Sequence, residues 1–240
     1  MGLTHGLLQF LYPPRCPHCG QAVWHEGEWC KACFEKEYVF RHIEPEGLSQ
    51  LQEAYVLSAY DNGVKDIIRH IKFNKKKERS LWLAPFLMSF TFALTSYCKE
   101  QRTDIEHNSI LKLIDYIVPI PVSPKKQAER GYNQVDVIYK DWVQTVWEPT
   151  YNVIWLDCLE KKDSTKKMYS LGRVERKANV EHAFSLKEVY IKHERLKNKN
   201  ILIVDDIYTT GATLEAAAQV LKKEGQAKTI YGLAVSGGHT

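Results

Sequence analysis

The sequence predicts an α/β protein, a mostly parallel sheet flanked by helices and preceded by a small metal-bound finger. Three observations carry this prediction. Short apolar, β-branched runs such as Ile201–Val204 alternate with stretches of helical spacing such as Val64, Ile67, Ile68 and Ile71, a pattern that builds a sheet through right-handed crossovers. Two Cys-x-x-Cys pairs stand close together near the N-terminus. Residues 201–213, ILIVDDIYTTGAT, join a buried-strand pattern to two acids and a turn rich in hydroxyls and glycine.

At 240 residues, 44% of them hydrophobic, the chain has room for one substantial domain and a small appendage. The expected division is 1–45 for the finger and a linker and 46–240 for the α/β domain. The longest apolar stretch, Leu81 to Leu94, is too short and interrupted to span a bilayer and reads as a core helix. The N-terminus lacks a cationic start and a small-residue cleavage site, so a cytoplasmic location is expected. A formal charge of +4 does not by itself imply a nucleic-acid partner.

In chain order, the finger comes first, over about Arg15 to Lys36. Cys16 and Cys19 form one pair, Cys30 and Cys33 the other, with ten residues between them. Each pair can clamp one side of a tetrahedral soft metal, so the expected cofactor is structural Zn²⁺. Disulfides are the alternative, and an unsecreted chain argues against them. Arg41 to Gly47, charged and holding Pro and Gly, reads as the linker. Ala54 to Tyr60 reads as a strand ending in the Asp61-Asn62-Gly63 turn, and Val64 to Phe73 as a helix. Another helix is expected from Leu81 to Cys98, a strand over Tyr116 to Ile120, a helix from Gln134 to Trp147 and a strand over Val153 to Leu156. A long charged segment from Glu160 to Glu181 follows. After the 201–206 strand and its helix, Thr229 to Val235 supplies a further strand.

The turn after Val204 has the chemistry of a phosphate cradle. Unpaired N–H groups at the start of the following helix, Leu214 to Leu221, face an anion that the helix dipole favours. Gly211 permits close approach, and the hydroxyls of Thr209, Thr210 and Thr213 can donate to phosphate oxygens. Carboxylates only accept hydrogen bonds, so Asp205 and Asp206 suit ligand hydroxyls or the waters of a Mg²⁺ ion. A ligand with one phosphate and adjacent hydroxyls is a ribose 5-phosphate. The segment resembles the phosphoribosyl pyrophosphate (PRPP) motif of type I phosphoribosyltransferases. That likeness implies that Asp205 and Asp206 hold the ribose hydroxyls and that Thr209, Thr210, Gly211, Ala212 and Thr213 wrap the 5-phosphate.

Two further loops fit. Val118-Pro119-Ile120-Pro121-Val122-Ser123, followed by Lys125, Lys126 and Arg130, is similar to the pyrophosphate loop of glutamine amidophosphoribosyltransferases, which implies that Ser123 and Arg130 help to cup the diphosphate. The basic stretch from Lys161 to Asn179 corresponds to the hood loop of phosphoribosyltransferases, with Arg173 and Arg176 as its anion contacts.

Taken together, the finger, Tyr60-Asp61-Asn62-Gly63, Lys72-Phe73, the VPIP loop, Glu129-Arg130-Gly131-Tyr132-Asn133-Gln134, Arg176-x-x-Asn179 and the PRPP motif resemble the ComF/ComFC family of competence proteins. The resemblance implies a type I phosphoribosyltransferase-like fold, binding of PRPP or a nucleotide, and contact with single-stranded DNA or competence and DNA-processing proteins. It also implies a role in DNA uptake, with Asp205, Asp206 and Arg176 as the catalytic candidates and Mg²⁺ arriving with PRPP. The chain departs from the family at Met168, which stands where the hood loop has glutamine and cannot hydrogen-bond as glutamine does. Two alternatives stay open: a housekeeping phosphoribosyltransferase acting on a base or amine, and a non-catalytic single-stranded-DNA or protein-binding module. For the latter, the basic stretch from Lys65 to Arg79 is either a nucleic-acid face or a solvated helix face.

Overall fold

Strand β7 (Asn200–Tyr208) lies at the middle of the sheet because its residues are apolar on both faces. The computed structural model describes residues 12–45, 49–100, 110–162 and 183–238, and of 94–100 the backbone alone. Among them, β1 (Tyr38–Ile43), β2 (Glu53–Ser58), β3 (Tyr116–Pro119), β4 (Ile154–Trp155), β7 and β8 (Thr229–Gly237) form one sheet in the order β1-β2-β8-β7-β3-β4. Every pairing in it is parallel except β1 with β2. A separate antiparallel pair joins β5 (Leu159–Lys161) to β6 (Phe184–Leu186).

The period of two along β7 sorts its side chains between two cores. Leu202 and Val204 pack with α2 (Asn62–Phe73), α3 (Ala84–Glu100) and α5 (Gln134–Trp142). Ile201 and Ile203 pack with α8 (Ala212–Lys223) and the β5–β6 pair. The remaining helices are short: α1 (Lys31–Glu37), α4 (Pro124–Arg130), α6 (Glu148–Tyr151) and α7 (Glu188–Lys192). No helix among the described residues is long and apolar enough to cross a membrane.

Several expectations need correction. Arg41 to Ile43 is not linker but the end of β1, whose Phe40 stacks on Tyr55 of β2 and whose His42 ring tilts against it. The helix expected from Leu81 starts at Ala84, because Lys77–Leu83 forms a tighter 3-10 turn. The helix expected over Gln134 to Trp147 passes into a π-turn at Val143–Trp147, with Pro149 in the following turn of α6. Pro149 has no N–H for a regular ladder. Glu160 and Lys161 belong to β5. The segment Gly2 to Leu11 and the hood-loop residues 163–182, with Thr165, Met168, Arg173, Arg176 and Asn179, lie outside the described residues.

The finger is packed into the sheet's own core. Cys16, Trp29, Cys30 and Cys33 share a cluster with Ile67, Ile68 and Phe86. Trp29 Nε1 donates to the Trp82 carbonyl at 2.7 Å, and its ring meets Phe86 edge-on at 5.4 Å. The same ring covers Gly63, where a Cβ would stand 2.7 Å from it and 3.0 Å from the His18 Cβ. Gly63 is therefore the flat spot on which α2 meets the finger. Alanine favours a helix interior by about 1 kcal/mol over glycine, yet Gly63→Ala is expected to destabilise the protein by about 1–3 kcal/mol through overpacking. Urea denaturation showing a stabilised variant would contradict this docking.

Candidate functional site

The site lies beyond the carboxyl end of β7, where ligands of open parallel sheets bind. Asp205 and Asp206 end the buried part of that strand, only 7% and 4% exposed. Tyr208 then turns back over Gly211, whose Cβ would meet the Tyr208 hydroxyl at 2.6 Å. Gly211 itself has φ +75°, so a side chain there would be strained twice over. Thr209 and Thr210 are exposed, Ala212 and Thr213 half-buried, and α8 begins at Ala212. The Ala212 N–H reaches the Thr210 hydroxyl oxygen only at 3.5 Å.

Three neighbours converge on the acids. By the alternation along β7, Asp206 faces the same side as Leu202 and Val204, and from that side Lys72 of α2 arrives. Lys72 Nζ lies 2.9 and 2.8 Å from the two Asp206 carboxylate oxygens. Tyr139 of α5 donates its hydroxyl to the Asp205 carbonyl at 3.0 Å. Lys161, at the end of β5, sits with its ammonium 4.9 Å from the Phe184 ring centre. Burial pushes Lys161 below its ordinary value, and the Asp205 charge opposes that. Asp205 is raised to about 7, first by burial and then by the neighbouring Asp206 charge, while Asp206 N–H, Lys72 and Lys161 pull the other way.

The VPIP loop emerges beside this pair. Pro119 is opposite Val204, and Ile120 N–H donates to the Val204 carbonyl at 2.9 Å. Ser123 caps α4, its Oγ accepting from Lys126 N–H at 3.5 Å. Arg130 stands at the far end of that helix, about 10 Å along at the usual rise, and donates to the Gln134 side chain. Ser123 thus lies in the loop that follows β3, whereas Arg130 is held within its own motif. A cleft of roughly 560 Å³ opens between this loop and β5, lined by Val122, Gln127, Asn133, Asp136, Lys161 and Lys187 among others. Asp136 there is raised to about 6 by burial and by Asp157.

Lys72 and Tyr139 escaped the sequence reading as site residues. The signal for Lys72 was present: Val64, Ile68 and Lys72 are spaced i, i+4, i+8, which puts the lysine on the helix's apolar face. Nothing local marks Tyr139.

The finger is the second part of the site's architecture. Cys16, Cys19, Cys30 and Cys33 place their sulfurs within 4.8 Å of one another, with Cys19 and Cys30 at 3.6 Å. Tetrahedral Zn–S bonds of about 2.3 Å require sulfurs about 3.8 Å apart, so the four cysteines fit Zn²⁺. The first pair lies in a turn closed by Gly20 N–H to the Cys16 carbonyl, and the second straddles the start of α1. Burial pushes the Cys16 thiol up, but backbone N–H groups near it prevail and hold it at about 7. Burial and the neighbouring sulfurs raise Cys33. Thiols this close cannot all ionise without a cation among them. Cys158, by contrast, is buried apart from the cluster and pushed up to about 12 by burial, an inert packing residue.

Comparison with known proteins agrees with both parts. A family model described as double zinc ribbon domain matches residues 7–43, and one described as phosphoribosyl transferase domain matches 165–239. Competence protein F of Haemophilus influenzae is 25% identical over 222 residues, 92% of this chain and 84% of that protein. DNA utilization protein YhgH of Escherichia coli K12 is 25% identical over 215 residues, 88% and 79% of the two chains. Competence protein ComFC of Bacillus subtilis is 30% identical over 114 residues, 48% of this chain and 41% of that protein. The chain is a ComF/ComFC homologue. Its fold is a phosphoribosyltransferase domain, with a mostly parallel sheet and helices, carrying an N-terminal four-cysteine zinc ribbon.

Two outcomes are expected. Cys16→Ser should lose the bound zinc, measured by native mass spectrometry, and should melt at lower temperature. Wild-type protein that carries no zinc, and whose melting a chelator leaves unchanged, would contradict the ribbon's metal. For Asp205, a folded-state value of about 7 against the ordinary 3.8 means that the folded chain binds the extra proton between these limits. Its ionisation therefore costs stability as pH rises through that window. Asp205→Asn should melt above wild type at pH 8, with the gap closing toward pH 4; a constant gap across that range would refute the assignment.

Proposed function

We propose that this ComF/ComFC homologue binds PRPP, or the nucleotide formed from it, at the β7–α8 turn and acts in the cytoplasm in the handling of DNA taken up by the cell. One observation supports this reading above others: a buried acid pair directly precedes a glycine turn in left-handed conformation and the start of a twelve-residue helix. In the proposed pose Asp205 and Asp206 accept the ribose hydroxyls, and Thr209, Thr210, Gly211, Ala212 and Thr213 surround the 5-phosphate. Ser123 and the VPIP loop face the diphosphate. Arg130, Arg173 and Arg176 remain anion contacts proposed from the motifs alone. The DNA-handling part rests on the names of the relatives, competence protein F and DNA utilization protein YhgH.

A transfer reaction at this site would break the bond from the ribose anomeric carbon to diphosphate as a nucleophile attacks that carbon. The bonding pair leaves with diphosphate, and charge builds on the ribosyl centre as in other glycosyl transfers. Bound Mg²⁺ would offset the charge of the leaving group. The residues present position the sugar by its hydroxyls and phosphate and place Tyr139 and Lys72 behind the acids.

A second reading is favoured by a surface feature. Lys75, Lys76, Lys77 and Arg79 follow α2, and Phe73, its last residue, is 71% exposed. Cations beside an exposed ring suit a single strand of nucleic acid. Binding of an oligonucleotide should then weaken steeply with salt.

The principal test is isothermal titration with PRPP and Mg²⁺, followed by assay for released diphosphate with a panel of bases and amines. The double substitution Asp205→Asn, Asp206→Asn should weaken PRPP binding by at least tenfold while circular dichroism stays unchanged. Equal affinity in the variant would remove the ribose role from the acids.

A further inference from the structure

Lys72 is not one more solvated lysine. It ends the stripe formed by Val64 and Ile68 on the packed face of α2, and its side chain is 18% exposed, whereas Lys75, Lys76 and Lys77 just beyond it are exposed. Its ammonium bridges both oxygens of Asp206, a residue 134 positions away, at 2.9 and 2.8 Å. Its backbone is also pinned. The Tyr132 hydroxyl donates to the carbonyl of Ile71, and the Lys77 ammonium lies 4.5 Å from the centre of the Tyr132 ring. A segment between the VPIP loop and α5 thus fixes the turn that aims Lys72 at the acids. Taking both charges of such a pair out of water is costly, and apolar substitutes often stabilise as well, so a buried pair points to a role other than stability.

Charge supplies that role. Two neighbouring carboxylates repel each other and any phosphate brought beside them. We propose that Lys72 is the resident counter-charge of the acid pair: it neutralises Asp206, so that the pair accepts ribose hydroxyls beside a phosphate-bearing ligand without a divalent cation between acid and ligand. The inference rests on the sugar-phosphate reading above and deepens it. A sugar carrying a single phosphate, ribose 5-phosphate, is then a ligand in its own right in the absence of Mg²⁺. A carboxylate oxygen offers two lone pairs, so Asp206 Oδ1 keeps an acceptor position while it holds Lys72, whereas Oδ2 is wholly buried. Lys72 acts through Asp206 and is a positioning residue.

The test is calorimetric titration of ribose 5-phosphate into the full chain at pH 8, in EDTA and again in Mg²⁺, for wild type, Lys72→Met and Lys72→Arg. Wild type should bind in EDTA. Lys72→Met should lose at least tenfold in EDTA and regain part of that loss in Mg²⁺, while Lys72→Arg keeps most of the affinity. Metal rescue is not expected of a merely structural defect. Equal affinity of Lys72→Met and wild type in EDTA would overturn the proposal, as would a loss that neither Mg²⁺ nor arginine relieves. Should Lys72→Met not fold, Asp206→Asn is compared with Asp206→Asn combined with Lys72→Met, which buries no unpaired charge. The two should bind alike, since effects routed through one contact are not additive; a further tenfold loss would overturn the proposal. A wild type that binds no ribose 5-phosphate in either buffer would sink the sugar-phosphate reading and this inference with it.

Discussion

Two adjacent carboxylates, almost wholly removed from water at the end of the central strand, are the constraint around which this protein is arranged. Ionised side chains are rarely buried unless paired. The chain meets the requirement from elements far apart in sequence: Lys72 from α2 on one face, Lys161 from β5 near the other acid, and the Tyr139 hydroxyl against the backbone between them. Because alternate residues of a strand face opposite sides, the two acid side chains draw on different neighbours for their nearest contacts. The layers of the fold are thus tied together at the site.

The ribbon belongs to the same arrangement. A segment of about thirty residues has too little core to fold alone, and metal ligation commonly supplies that missing energy. Trp29, next to Cys30 in that segment, hangs from the Trp82 carbonyl and caps the start of α2 at Gly63. That helix ends at Lys72. One helix therefore begins at the metal-bound segment and ends at the acid pair. Directly after the ribbon, β1 brings Arg41 over Gly237, where a Cβ would stand 2.7 Å from its guanidinium and 2.9 Å from the Tyr208 carbonyl. The end of β7 thus lies close to Arg41, the residue at which the sequence alone suggests that a linker begins.

The comparisons fit this picture. The zinc-ribbon and phosphoribosyltransferase matches fall on the two parts that α2 connects, and relatives named for competence and DNA utilization match across both. Those relatives differ from this chain at about three aligned positions in four.

Much of this was legible in the residues themselves. Local chemistry marks the cysteine pairs, the β7–α8 turn and the strand–helix alternation, because spacing, hydroxyls, glycine and hydrophobic period act over a few neighbours. These mark the four cysteines, the glycine turn after β7 and the parallel sheet. What sequence could not decide depends on distant partners. The edge strand β1 is short and mixed in character and becomes a strand only by pairing with β2; the β5–β6 pair joins residues on either side of a long charged segment. The destination of Lys72 and Tyr139 was likewise settled by packing, since a lysine on a helix finds a buried carboxylate only when the fold brings one within reach.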